Sequence, residues 1–436
     1  MLSAAKRKKT GKPKKILLIA HDMQIAGAEI ILYNLTKILV DSGYSCSIIS
    51  LNDGPMIEKF KVIGCKPKIL SSDFDKYPDK IIQYARCFDL VIANTVLTYM
   101  FPVLLTNKVP LIWYVHEGAN IVEYTSILPE LEKALLNAQN IYAVSDYAKD
   151  FIVKNYNSNV KVIHNYVEDK YSSLPHVRTD KPNIDFSILG FMTYRKAIHI
   201  CIDSFLALPA ELREKSRLNI AGKYNMNYFN LFKHKIKKEN HIVYHGEITG
   251  KEKQTFFANT DVFVIPSFDE SCSLVALEGA MYGKPLIISK NVGAKYIVDK
   301  TNGWIVDTGS VEALTSAMES AIRNQNELSR MGEASRKKYI EFASYKNYKN
   351  AALKMIEDNI DNTYRPAHTC KLFFSPLFKK ETVLLNFGFF KVRMTLDPIF
   401  LLKKIFSYHS DGYNKTITFF WRKYRFEYLS LKNIQK

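Results

Sequence analysis

The segment IPSFDESCSLVALEGAMYGKPLIIS, residues 265–289, decides the reading of this chain. The apolar run 262–265 reads as a strand that stops at Pro266-Ser267. Asp269 and Glu270 follow in a loop, and a helix opens near Ser271–Ser273. Gly283 and Pro285 close that helix before the next apolar run, PLIIS. Strand, loop, helix and strand in this order make one unit of a doubly wound α/β domain, whose ligands sit beyond the carboxyl ends of its strands. The first amides of such a helix have no partner within it and, with the dipole, attract an anion. Glu278 lies about two turns further on, within reach of a pair of sugar hydroxyls. One anion site between two carboxylates suits a nucleotide-sugar: pyrophosphate at the helix end, ribose on one glutamate, hexose on the other. Acids at a helix start also simply stabilise the dipole, so spacing alone leaves both readings open.

Working outward, the same alternation fills most of the 436 residues. KILLIAH, SCSIISL, LVIANT, LIWYVHE, IYAVS and VKVIHNYV are short continuous apolar runs, as expected of parallel strands covered on both faces. Helical stretches separate them: AEIILYNLTKILVDSG closing at Gly43, YPDKIIQYARCF, LPELEKALLNA, and DYAKDFIVKNY with Ser145 as N-cap. A polar stretch with two prolines marks a linker at 170–183. DFSILGF, RLNIAG, HIVYHGE, DVFVIPS and PLIIS then alternate with the helical stretches AIHICIDSFLAL, NYFNLFKHKIKKEN, KEKQTFFANT and SVEALTSAMESAIR. A single long helical stretch is expected from about 331 to 362. The expected organisation is a basic arm (1–13), a first α/β domain (14–169), the linker (170–183), a second α/β domain (184–340), a C-terminal helix (341–363), and a basic aromatic extension (364–436).

Hydrophobic residues at 47% and charged residues at 24% describe a globular chain, and the net charge of +18 is uneven. Residues 1–15 carry seven cations and no acid; residues 364–436 carry fourteen cations, four acids and 17 aromatics. The body between is nearly neutral, which argues against a nucleic-acid-binding surface. The six cysteines are scattered without a C-x-x-C pair, so reduced thiols are expected. The apolar run 16–20 is too short for a signal segment, and the charge-free stretch 90–107 is too interrupted to span a membrane. It reads as strand, loop and short helix.

Glu270 and Glu278, set in P-S-x-x-E…L-E-x-A-x-x-G-K-P, resemble the signature of the family 4 retaining glycosyltransferases of the GT-B fold. Other landmarks follow in order. IAGAEIILYNLTKIL is similar to the family's glycine-rich loop and helix, and VSDYAKDFIVKNY…KVIHNYVE to its passage into the linker. ILGFMTYRKAIHICIDSF resembles the start of its second domain, and HIVYHGEI and NVGAKYIVDKTNGWIVD its later segments. The likeness covers about residues 14–350 and implies two Rossmann-like domains facing across a cleft, 14–169 on the acceptor side and 184–340 binding the donor, with the helix 341–363 crossing back.

The resemblance also implies roles. Glu270 would hold the donor hexose and support charge at its anomeric carbon, and Glu278 the ribose. Arg195 and Lys196 would neutralise the departing diphosphate. The amides of Ser271, Cys272, Ser273 and Leu274 would meet that diphosphate, and Gly246 and its neighbours the base. Gly27 would let the first-domain backbone come close to the diphosphate, and His116 would lie near the reacting sugar. A UDP- or GDP-sugar donor and a glycan or lipid-linked acceptor are implied, with no cofactor and no Asp-x-Asp metal site. The basic ends suggest a peripheral place at the inner face of the cytoplasmic membrane. The chain departs from the pattern at Ala26-Gly27, at Ala197 after Arg-Lys, at Ser271-Cys272-Ser273, and at Gly293-Ala294 with Tyr296. A silent glycosyltransferase-like partner protein is the alternative; retention of both glutamates and of Arg195-Lys196 speaks against it.

Overall fold

The computed structural model describes residues 12–157, 159–173, 183–367 and five C-terminal strands. The first unit is a seven-stranded parallel sheet: β1 (Lys15–Ala20), β2 (Ser45–Ser50), β3 (Lys68–Ile69), β4 (Leu90–Asn94), β5 (Leu111–Val115), β6 (Ile141–Ala143) and β7 (Val160–Val162), in the order β3-β2-β1-β4-β5-β6-β7. The second is a six-stranded parallel sheet of β8 (Ile184–Leu189), β9 (Ser216–Ala221), β10 (Ile242–Tyr244), β11 (Val262–Ile265), β12 (Leu286–Ser289) and β13 (Gly303–Val306), ordered β10-β9-β8-β11-β12-β13. The two-domain GT-B expectation holds.

Continuous apolar strands arise because both faces of each sheet are covered. In β1, Ile16, Leu18 and Ala20 enter one core, and Leu17 and Ile19 another on the opposite face. In β11, Phe263 and Ile265 share the first of these cores, whereas Val262 and Val264 pack into a third. A one-residue slip would exchange the two sets, so the register is strongly determined.

Several helices differ from expectation. The stretch expected from 331 to 362 is two helices, Leu328–Phe342 and Tyr345–Asn359. The break falls at Ala343-Ser344, where Ser344 turns extended, and the Asn347 side chain caps the carbonyls of Ile340 and Glu341. NYFNLFKHKIKKEN likewise divides into Met226–Asn230 and Lys233–Lys238 around buried Phe232. The helix Tyr345–Asn359 buries Tyr348, Ala352, Met355 and Ile356 in the same core as Ile31 and Leu35 of the helix Gly27–Asp41.

Within 364–436, the described strands β14 (Glu381–Asn386), β15 (Lys391–Leu396), β16 (Phe406–Ser410), β17 (Asn414–Phe419) and β18 (Arg422–Leu429) pair antiparallel in the order β14-β15-β18-β17-β16. The arm lies outside the described residues, apart from its last two positions, as does most of the linker. One expectation about cysteine is corrected: Cys87 is disulfide-bonded, while Cys46, Cys65, Cys201 and Cys272 are free. Spacing in the chain carries no sign of that bond.

Candidate active site

The carboxyl ends of β8 and β11 lie side by side and bring together residues 74 positions apart. After β8 the one-turn 3-10 helix Tyr194–Lys196 presents Lys196, and after β11 the loop presents Glu270. Lys196 Nζ is 2.5 Å from Glu270 Oε1, and Ser267 Oγ donates to Oε2 at 2.9 Å. Glu270 is only 8% exposed. Burial pushes its carboxyl up, but Lys196, Arg195 and Ser267 together hold it below its ordinary value, so it stays ionised. Arg195 is exposed, and its Nη1 donates to the Asp269 carbonyl at 2.7 Å. Ala197, where the family pattern has glycine, has left-handed φ 50° and ψ 38°, a conformation that costs a side-chain-bearing residue about 1 kcal/mol.

The helix Leu274–Met281 opens beside this pair. Ser273, at φ 82°, caps it by accepting from the Ala276 amide at 3.4 Å. The amides of Leu274 and Val275 precede the first possible intrahelical bond and so present donors at the site. Cys272 is buried, which pushes its thiol up to about 12, and its carbonyl accepts from Ala294 N at 2.7 Å. Glu278 is half-buried and pairs with Lys253 at 2.7 Å. Gly246 follows β10 with φ +75°, and its carbonyl accepts from the Gly222 amide at 2.7 Å.

Gly27 and His116 belong to the first unit. Gly27 opens its helix with no atom within 4 Å of where a Cβ would stand. His116 follows β5, and its Nε2 lies 2.8 Å from Asn94 Oδ1. Burial, reinforced by His21, lowers its imidazole to about 3, so it is neutral. The two units meet directly here. Ser271 Oγ donates to the His116 carbonyl at 2.5 Å, and Ser145 Oγ to the Ser271 carbonyl. Asp269 Oδ1 accepts from Tyr147 Oη at 2.7 Å and from Ala119 N at 3.2 Å. Gly293 packs so closely that a Cβ would sit 1.8 Å from the Ser271 carbonyl oxygen. Tyr296, standing where the pattern has an acid, stacks on His164 at 3.9 Å instead.

Sequence reasoning placed Ser267 and Asp269 at the strand end and in the loop but gave them no role, and it missed Lys253, Tyr147 and a further group at the ends of β1, β4 and β5. His21 Nδ1 lies 3.3 Å from Glu29 Oε1, and its Nε2 3.3 Å from Asp22 Oδ2. Glu117 Oε2 accepts from the amides of Val96 and His116, both at 3.0 Å. Burial raises the carboxyls of Glu29 and Glu117 to about 7. Only the glutamate of the IAGAEIIL motif hinted at this group. The expectation that the chain has no Asp-x-Asp motif is corrected in letter by Asp73-Phe74-Asp75. That triplet sits at the 3-10 turn Phe74–Lys76 and joins no metal-ligating cluster; among the described residues the one such cluster is His21, Asp22 and Glu29.

Comparison with known proteins agrees with this geometry. Residues 175–338 match the family described as glycosyl transferases group 1, and residues 25–171 that described as glycosyltransferase family 4. An uncharacterized 41.2 kDa protein in the cps region of Klebsiella pneumoniae is 38% identical over 88 residues, 20% of this chain and 24% of that one. The O-antigen chain mannosyltransferase C of Escherichia coli is 27% identical over 162 residues, 36% of this chain and 42% of that one. The matched stretches thus span less than half of either relative. The crystal structure of Anabaena HepE in complex with UDP superimposes with a TM-score of 0.69 at 17% identity, covering 79% of this chain and 100% of that one. With both halves of the body matched and the two sheets arranged as in that neighbour, the chain belongs to the group 1, family 4 glycosyltransferases of GT-B fold.

Proposed function

We propose that the protein is a retaining hexosyltransferase that uses a UDP- or GDP-sugar and acts on a glycan or lipid-linked acceptor in surface polysaccharide or glycoconjugate synthesis. The observation that carries this reading is the buried ionised Glu270, held by Lys196 beside the free amides of the helix Leu274–Met281. The donor diphosphate would lie against those amides, Arg195 and Lys196, whose positive charge counters the charge that grows as it leaves. Glu270 would accept from the hexose hydroxyls, and Glu278 from the ribose. Neutral His116 can exchange a single hydrogen bond with the transferred sugar without adding charge. Among the described residues no side chain stands out as a nucleophile, and the reading therefore takes attack on the same face, with the departing phosphate oxygen taking the acceptor proton.

Charge neutralisation by protein groups favours a reaction that needs no metal. HepE, crystallised with UDP, supports a nucleotide donor, and the mannosyltransferase relative supports a hexose. No described helix is long and apolar enough to cross a membrane. The seven cations of 1–15 and the basic extension would attach the enzyme peripherally at the inner face of the cytoplasmic membrane, at about 1 kcal/mol per cation near anionic lipid. A screen of UDP-, GDP- and ADP-sugars by nucleotide release and thermal shift tests the reading. One class should respond, and Glu278→Ala should lose the response. If no donor responds, or the variant responds as the wild type does, the assignment is wrong.

A further inference from the structure

A cavity of about 460 Å³ opens between the amino ends of β5 and β6 and the end of the helix Tyr345–Asn359. Sites for small ligands run to about 300–1,000 Å³, so it has room for a disaccharide. β5 is five residues long, about 17 Å, and the cavity and His116 stand at its opposite ends. The lining includes none of the residues placed at the candidate active site.

That lining is amphipathic. Pro110, Leu111, Ile360 and Tyr364 supply apolar surface, with Trp113, itself 1% exposed. Four side-chain amides supply polar groups, and the protein orients them through bonds of its own. Asn359 Nδ2 donates to Tyr142 Oη at 2.9 Å and to the Met355 carbonyl at 2.8 Å, so Asn359 offers its oxygen. Asn140 Nδ2 donates to the Leu111 carbonyl at 3.4 Å, and Gln139 Nε2 to Asn107 Oδ1 at 2.8 Å. Gln139 therefore also offers an oxygen, and Asn107 its amide hydrogens. Lys108 and Lys161 are matched by Asp358 and Asp361, so the formal charge of the lining sums to zero.

We propose that this cavity is an accessory site for a neutral oligosaccharide, separate from the cleft in which transfer takes place. Fixed amide donors and acceptors beside apolar patches suit a ligand that carries many hydroxyls and also presents C–H faces, as a sugar chain does. A phosphate-rich ligand gains no net attraction from two lysines set among two carboxylates. The inference takes from the glycosyltransferase family only the source of the glycan and is independent of the donor assignment. A sugar chain long enough to reach both sites would be held at two points, and so more tightly than by either alone.

Saturation-transfer NMR on the full chain tests this with maltose, cellobiose and 1,3-mannobiose as probes. At least one disaccharide should bind, and neither UDP, GDP nor inorganic phosphate should displace it. Ala138 lines the cavity, and Ala138→Phe fills it and should abolish binding. Gln139→Ala removes one exposed amide and should weaken binding about fivefold. If Ala138→Phe fails to fold, Gln139→Ala decides. Absence of binding by all three disaccharides overturns the proposal, as does binding unchanged in the folded variants. Displacement by a nucleotide would place the sugar in the cleft, and displacement by phosphate would make the cavity an anion site; either result also overturns it. Failure of every nucleotide-sugar to shift the melting temperature overturns the donor reading alone, because the disaccharides are read without nucleotide.

Discussion

Replacing Lys196 by methionine keeps the length of the side chain and removes its charge. In the native protein the Glu270 carboxylate, 8% exposed, has the ammonium at 2.5 Å and the Ser267 hydroxyl at 2.9 Å. Without Lys196 only that hydroxyl and the field of Arg195 remain. Breaking a buried pair from one side costs about 3–5 kcal/mol. Because the lysine side chain is 19% exposed, solvent softens the loss, and about 2–3 kcal/mol is expected at pH 7.5. The pH dependence has a definite sign. Glu270 is held below its ordinary 4.5 in the fold, so the pair's stabilisation is present above that value and is lost as pH falls through the lower folded value. The deficit of Lys196→Met should therefore shrink on acidification from pH 7.5 to 4. Adding Glu270→Gln should recover part of the loss, since no buried charge is then left unpaired. Urea unfolding followed by the fluorescence of the chain's three tryptophans reads all three proteins. A single variant within about 0.5 kcal/mol of wild type at pH 7.5 refutes the reasoning, as does a double variant showing the full sum of the single losses.

Gly293→Ala would drive a Cβ to 1.8 Å from the Ser271 oxygen and 2.5 Å from Ser145 Oγ. It should cost about 1–3 kcal/mol and separate the units, read as a lower melting temperature and a larger radius of gyration; unchanged values would contradict the contact. Glu278→Ala, removing one partner of a partly exposed pair with Lys253, should change stability by less than about 1 kcal/mol while abolishing the donor-induced thermal shift. Ser273→Gly should be tolerated better than Ser273→Ala, because glycine relieves φ 82° while alanine loses the cap, about 1 kcal/mol, and keeps the strain; equal melting temperatures would count against this. The Glu29 carboxyl is raised from 4.5 to about 7 by burial, so its ionisation destabilises the fold progressively across that interval. Glu29→Gln should therefore gain on wild type as pH rises from 5 to 8, by about 1–3 kcal/mol, and a pH-independent difference in urea titrations would show the carboxyl is not held up.

Much of the architecture is legible in local pattern. The alternating burial of β1 and β11, the glycine and proline that end the helix Leu274–Met281, and the Ser145 cap on the Ala148 amide all depend on neighbours two to four positions away. The ordered motifs likewise pointed to Lys196, Glu270 and Glu278. The helix break at Ala343-Ser344 was not legible, because the periodicity runs through it and only the packing of buried Ala343 and Tyr348 sets where it falls.

Local pattern alone is enough to set two α/β units, the strands and caps within them, and the charged side chains that stand at the strand ends. What those side chains meet is fixed by packing in three dimensions. Lys253 reaches Glu278 across 25 positions, Ser145 reaches Ser271 across 126, and Glu29 gathers with His21 and Glu117 from three separate elements. Such pairings follow from which strand ends a parallel sheet places side by side, and chain spacing does not encode that order. Burial, and with it the ionisation of Glu29, Glu117, His116 and Glu270, is set in the same step, because it depends on the neighbours that folding brings.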